Sequence, residues 1–132
     1  MTTQKSVQVF FSKPSGHTPP PDNPFELSAV VRSAPPLTPA RGALEALLAN
    51  ITPSEDAAGF VPLDAAGLSI GELTITNFVA EVNFFSGGHK SWAGDLSPVI
   101  FKKAVERTLK QFPTVHTVTV KVDDNPDFDS LQ

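Results

Sequence analysis

Along residues 6–11 apolar and polar positions alternate, with Val7, Val9 and Phe11 on one side, Gln8 on the other, and Phe10 interrupting the polar face. A period of two predicts a strand. Residues 25–32 alternate as well. Phe25, Leu27, Ala29 and Val31 form one set, predicted to face inward, and Glu26, Ser28 and Arg32 form the other. The period then lengthens. Leu44, Leu47, Leu48 and Ile51 fall at helical spacing. Thr38-Pro39 ahead of them has the form of an N-cap followed by proline at the first helical position. Gly42 weakens that first turn by about 1 kcal/mol relative to alanine. The helix is expected to end near Asn50, before Thr52-Pro53, and residues 54–67, with Gly59, Pro62 and Gly67, read as loop.

Further on, Leu73 and Ile75 share one phase and Phe78, Ala80, Val82 and Phe84 another. The shift predicts a hairpin turning at Thr76-Asn77. Residues 86–95 are glycine-rich and read as loop. Ser97-Pro98 repeats the helix-entry pattern, and Phe101, Ala104, Val105, Thr108, Leu109 and Phe112 form a long apolar stripe. Lys102, Lys103, Glu106, Arg107 and Lys110 lie largely off it, and Pro113 is expected to close the helix. Val118, Val120 and Val122 alternate with Thr117, Thr119 and Lys121 as a last strand. Two helices bracketed by strands predict an α+β domain: a mixed or antiparallel sheet of four to five strands with both helices packed on one face.

Composition narrows this picture. At 132 residues the chain fits one domain, taken as residues 1–124 with an acidic, loose tail at 125–132. Most of the 13 prolines precede Asp64, and residues 12–24 read as a proline-rich surface loop. With 10 basic and 14 acidic residues the net charge is −4, which argues against nucleic acid as the main ligand. The absence of cysteine removes disulfides, thiolate nucleophiles and thiolate metal sites. No window reaches the roughly 18 apolar residues of a membrane span. The first residues lack the apolar core of a signal peptide, so the protein is either cytoplasmic or carried by an export or anchor segment outside this chain, and membrane association is expected only through such a segment.

Candidate chemistry is sparse. His17, His89 and His116 have no metal-site spacing, and no cofactor is indicated. Residues 87–91 lack the full spacing of a phosphate loop. Asp123, Asn125, Asp127 and Asp129 alternate as calcium ligands do, but Phe128 stands where the tight calcium loop needs glycine, and a solvated acidic tail is the plainer reading. Two surface sites are expectations. In one, Trp92 of the 87–95 loop stacks on a sugar ring while His89 or Lys90 fixes polar groups; exposed loop residues are the alternative. In the other, Phe10, Val30 and Val79, opposite the inward stripes, form an apolar patch for a partner, unless the proline-rich loop covers them.

Four segments together resemble the GerMN domain of bacterial sporulation and germination proteins. They are residues 7–11; residues 37–48 with Thr52-Pro53-Ser54-Glu55; the hairpin ending at residues 79–84; and Thr108-Leu109 with residues 112–115 and 118–123. The chain departs from the family where Asn83 replaces a usual aspartate and Asp124 a frequent glycine. The resemblance implies a non-catalytic module of the cell envelope, usually beyond the cytoplasmic membrane and often on a lipoprotein, that packs against copies of itself or against partner subunits. A domain binding a cell-wall fragment through the 87–95 loop is the alternative, and a small hydrolase a distant third.

Overall fold

The computed structural model describes residues 5–14, 16, 18, 21, 26–34, 39–65, 67–86, 92, 97–126 and 128. In chain order the elements are β1 (Lys5–Ser12), β2 (Leu27–Ala34), α1 (Pro39–Ala49), α2 (Pro53–Ala57), β3 (Ser69–Thr76), β4 (Val79–Phe85), α3 (Ser97–Leu109) and β5 (Thr117–Val122). The class is α+β with five strands and mixed pairing, as the patterning predicts. The strands are divided between two sheets, however. β1 and β2 form an antiparallel pair, and a second sheet has the order β3-β4-β5, with β3 antiparallel and β5 parallel to β4. The parallel pair requires a crossover, and α3 supplies it.

The two long helices join the sheets. α1 touches β1, β2, β3 and α3, and α3 also touches β1 and β5. One apolar cluster results, built from Val7, Val9 and Phe11 of β1, Leu44 and Leu47 of α1, Ala80, Val82 and Phe84 of β4, Phe101, Val105 and Leu109 of α3, and Val118, Val120 and Val122 of β5. Thr108 lies in the apolar stripe of α3 and is fully buried, its hydroxyl without a hydrogen-bond partner among the described residues.

Four local expectations are corrected. The facing of β2 is reversed: Val9 lies opposite Val30 and Val7 opposite Arg32. Residues paired across an antiparallel ladder share a face, so Val30 joins the core side and Val31 is 65% exposed. The adjacent valines gave both phases an apolar residue, and register decided between them. Second, residues 53–57 form the short helix α2 rather than loop. Thr52 caps it, accepting from the Glu55 N–H, while the Thr52 N–H donates to the Glu55 carboxylate in a capping box. Third, the hairpin turns at Asn77-Phe78, one residue later than expected. Both have positive φ, 51° and 64°, as a two-residue type I′ loop demands. Phe78 therefore leaves the inward set and stands exposed at the tip. Fourth, α3 ends at Leu109, ahead of Pro113, and residues 110–114 continue in turns.

Candidate functional site

Three side-chain amides finish edges that helices and strands leave open. At the end of α1, Asn50 takes a left-handed φ of 73°. Its Oδ1 accepts from the N–H groups of Ile51 and Leu63, and its Nδ2 donates to the Leu63 carbonyl at 2.6 Å. Beyond α3, the Gln111 Oε1 accepts from the Gln8 N–H at 2.8 Å and its Nε2 donates to the Gln8 carbonyl at 2.6 Å. One amide thus stands in for a neighbouring strand along β1. The third, Asn83 on β4, is buried and donates to the Asp124 carboxylate at 2.6 Å, while the Asp124 N–H donates back at 3.1 Å. An aspartate at 83 would set one carboxylate against another. Next to this pair, Ser86 donates from both N–H and hydroxyl to Asp123.

β2 is braced to α2 by an ion pair. The two Arg32 guanidinium nitrogens donate to the two Glu55 oxygens at 2.7 and 2.5 Å. These bonds outweigh the opposing effect of burial and, with the Thr52 N–H, lower the Glu55 pKa from 4.5 to about 2.

β3 is finished differently. It is the outer strand of its sheet, and no backbone hydrogen bond reaches its free edge among the described residues. A bulge interrupts its ladder between Ile70 and Glu72. There Gly71 leaves room for the Phe85 ring, whose nearest atom would lie 2.0 Å from a Cβ. Two cavities open between β3 and α1. One, of about 370 Å³, is lined by Pro39, Ala40, Arg41, Leu73, Ile75, Phe112 and Thr114. The other, of about 280 Å³, is lined by Arg41, Glu45, Leu48, Leu68, Ser69 and Ile70. Arg41 belongs to both.

At the hairpin tip, Phe78 is 55% exposed and stacks on His116, ring centroids 4.6 Å apart. Val79 beside it is 38% exposed. Of the three residues expected in an apolar patch, Val79 alone is exposed. Phe10 is buried, with the Arg107 guanidinium 4.9 Å from its ring centre, and Val30 packs against the core. The patch that sequence reading missed centres on Phe78, whose place in the turn follows from the Asn77 left-handed backbone.

His89 and Lys90 lie outside the described residues, as do His17, Asp127 and Asp129. Trp92 is half-buried and packs on Phe101 at 5.7 Å and, stacked, on Phe128 at 5.8 Å. This contact holds Phe128, in the tail expected to be loose, against the domain. Among the described residues no group of three or more His, Asp or Glu side chains could hold a metal, and no helix is long and apolar enough to cross a membrane.

Residues 8–128 match the Germane family, described as sporulation and spore germination. No curated protein sequence matches. Among solved structures, the tandem GerMN domains of the sporulation protein GerM from Bacillus subtilis superpose with a TM-score of 0.67 at 12% identity, over 91% of this chain and 39% of that one. The chain thus spans about two-fifths of that tandem structure. The first GerMN domain of the same protein gives a TM-score of 0.61 at 18% identity, over 92% and 84% of the two chains. A putative lipoprotein from Clostridium perfringens gives 0.54 at 11% identity, over 92% and 76%. At these identities the likeness is one of fold.

Proposed function

The chain belongs to the Germane family, and from that membership we propose that it is a non-catalytic binding and assembly module of the bacterial cell envelope, engaging a protein partner or a further copy of itself. The observation that carries this reading is the hairpin tip. Phe78 holds a large apolar ring in solvent, at a φ that glycine would occupy without strain. A costly conformation that displays an aromatic side chain suits an interface anchor. The likeness to a putative lipoprotein and to GerM supports an envelope setting.

Solution mass, followed by light scattering over a concentration series, tests the reading with the variant Phe78→Gly. This change removes the ring and relieves the backbone, so the fold is retained. The expected result is concentration-dependent association of the native chain that Phe78→Gly abolishes. Turnover of a cell-wall substrate, lost on His89→Ala, would sink the non-catalytic reading.

A further inference from the structure

We propose that the domain assembles head to tail, with the basic outer side of α3 in one copy docked on the acidic outer face of the β3-β4-β5 sheet in the next. The inference rests on the assembly reading and gives it a partner, a second copy of this chain, and two surfaces.

The basic surface comes from one helix and the residue that follows it. Four of the 10 basic residues and one of the 14 acidic ones fall within residues 97–110, so this stretch carries +3 in a chain of net charge −4, and the remainder carries −7. Lys103, Arg107 and Lys110 stand at i, i+4 and i+7, which brings them to one side of the helix, and all three are exposed. The apolar stripe on the other side, with Phe101, Val105 and Leu109, is fully buried. Little of the positive charge is neutralised locally. Lys103 lies 3.8 Å from Glu106, with its own side chain 56% exposed, and an exposed pair of that kind is held weakly. Arg107 lies over the Phe10 ring, which leaves its charge in place.

The acidic surface is the far face of the sheet. On β4, Ala80, Val82 and Phe84 belong to the core, so Val79 and Glu81 point the other way. Register sets Thr74 and Thr119 beside Glu81, and Glu72 and Lys121 beside Asn83. Asp124 is joined to Asn83. Glu72, Glu81 and Asp124 are all exposed, and all three act on a single ammonium group. Lys121 donates to Glu81 at 2.9 Å, and its pKa is raised above the ordinary lysine range by Glu81 first, with Asp124 and Glu72 adding to the effect. One cation leaves three carboxylates in excess, so the face stays negative.

The placement of the two surfaces selects the occupant. α3 packs on β1, β5 and α1 through its buried stripe, on the core side of the sheet. Its basic side and the acidic face of the sheet therefore look away from each other and do not meet within one molecule. Between two copies, helix against helix or sheet against sheet opposes like charges, whereas helix against sheet opposes unlike ones. That contact is heterologous and repeats from copy to copy. Val79, 38% exposed, shares the face of Glu81, so the hairpin tip borders the same contact.

Light scattering over a concentration series at about 0.1 M and about 1 M salt tests this, since charges reach about 10 Å in the first and about 3 Å in the second. Two variants reverse one surface each: K103E/K110E on the helix and E72K/E81K on the sheet. All four positions are exposed, and circular dichroism verifies each fold. The native chain is expected to associate at low salt and about tenfold more weakly at high salt. Each variant alone should associate about tenfold more weakly than the native chain at low salt. An equimolar mixture of the two should regain native association, because each then offers the other an unlike surface. Native-like association of either variant alone, or no recovery on mixing, overturns the proposal. Association that is lost in Phe78→Gly but unmoved by both charge reversals overturns it and leaves the assembly reading standing on the hairpin tip. A native chain that stays monomeric throughout the low-salt series also overturns it, and leaves the assembly reading to a foreign partner.

Discussion

β1 and β3 are both outer strands, both eight residues long, and they are finished in opposite ways. Along β1, Gln111 pairs with both backbone groups of Gln8, and the Val61 N–H donates to the Ser12 carbonyl at 2.8 Å. Along β3, the corresponding edge meets no such group among the described residues, and the space beside it is a pair of cavities. A strand edge can thus be closed in this fold by one well-placed amide and one loop residue. The open edge of β3 is a local feature of that strand, and its bulge and Phe85-covered glycine give it the irregular outline by which open edges resist indiscriminate pairing.

The comparison is broken most sharply by Gln111→Leu. Both Gln8 groups would lose their partner, and the expected loss is about 2 kcal/mol, from two hydrogen bonds of roughly 1 kcal/mol each, read by urea unfolding. Amide exchange gives a finer view. The Gln8 N–H should be protected in the native chain and should exchange in the variant as fast as the outward amides of β3. Equal protection of Gln8 in both proteins would show that the clamp does not close the edge.

A smaller effect is expected from Glu55→Gln, which loosens the brace between β2 and α2 by about 1.5 kcal/mol at neutral pH. Glu55 titrates at about 2 when folded and at 4.5 when unpaired. Its contribution is therefore complete above about pH 4.5 and fades as the pH falls toward 2. The stability difference between native and variant proteins should shrink across that window. A difference that stays constant from pH 5 to pH 2 would show that the pair contributes nothing.

Gly71→Ala acts on the open side and is the mildest. The added methyl meets the Phe85 ring, but that ring is partly exposed and can swing aside, so the expected loss is about 1 kcal/mol or less. The sharper readout is displacement of the Phe85 ring resonances. Native-like ring shifts in the variant would mean that the ring does not rest on the glycine.

Much of the scaffold was legible because its signals are local. Val7, Val9 and Phe11 announce β1, the stripe from Phe101 to Leu109 announces α3, and Val118, Val120 and Val122 announce β5. The class and the family wording follow from those elements in order. The capping box at Thr52 and Glu55 was also there to be read, with proline behind the cap, yet five residues between two loops carry little periodic signal. The facing of β2 was not legible, because Val30 and Val31 serve either phase. The candidate sites were least legible. Leu73 and Ile75 have the pattern of core residues, and only the placement of α1 reveals that they border open space. Phe78 looked inward until the turn moved by one residue. Gln111 is one polar residue after a helix, and nothing near it points to Gln8.

That clamp joins positions 103 residues apart, which gives it a history during synthesis. β1 leaves the ribosome 103 residues ahead of the residue that covers the edge at Gln8. At about 5–20 residues per second, β1 waits on the order of 5 to 20 seconds for Gln111. Over that interval a strand carrying adjacent phenylalanines, Phe10 and Phe11, has its Gln8 backbone groups uncovered on the side away from β2. The emerging chain is therefore open to mispairing at the strand whose edge the finished domain closes with one loop residue and one late amide.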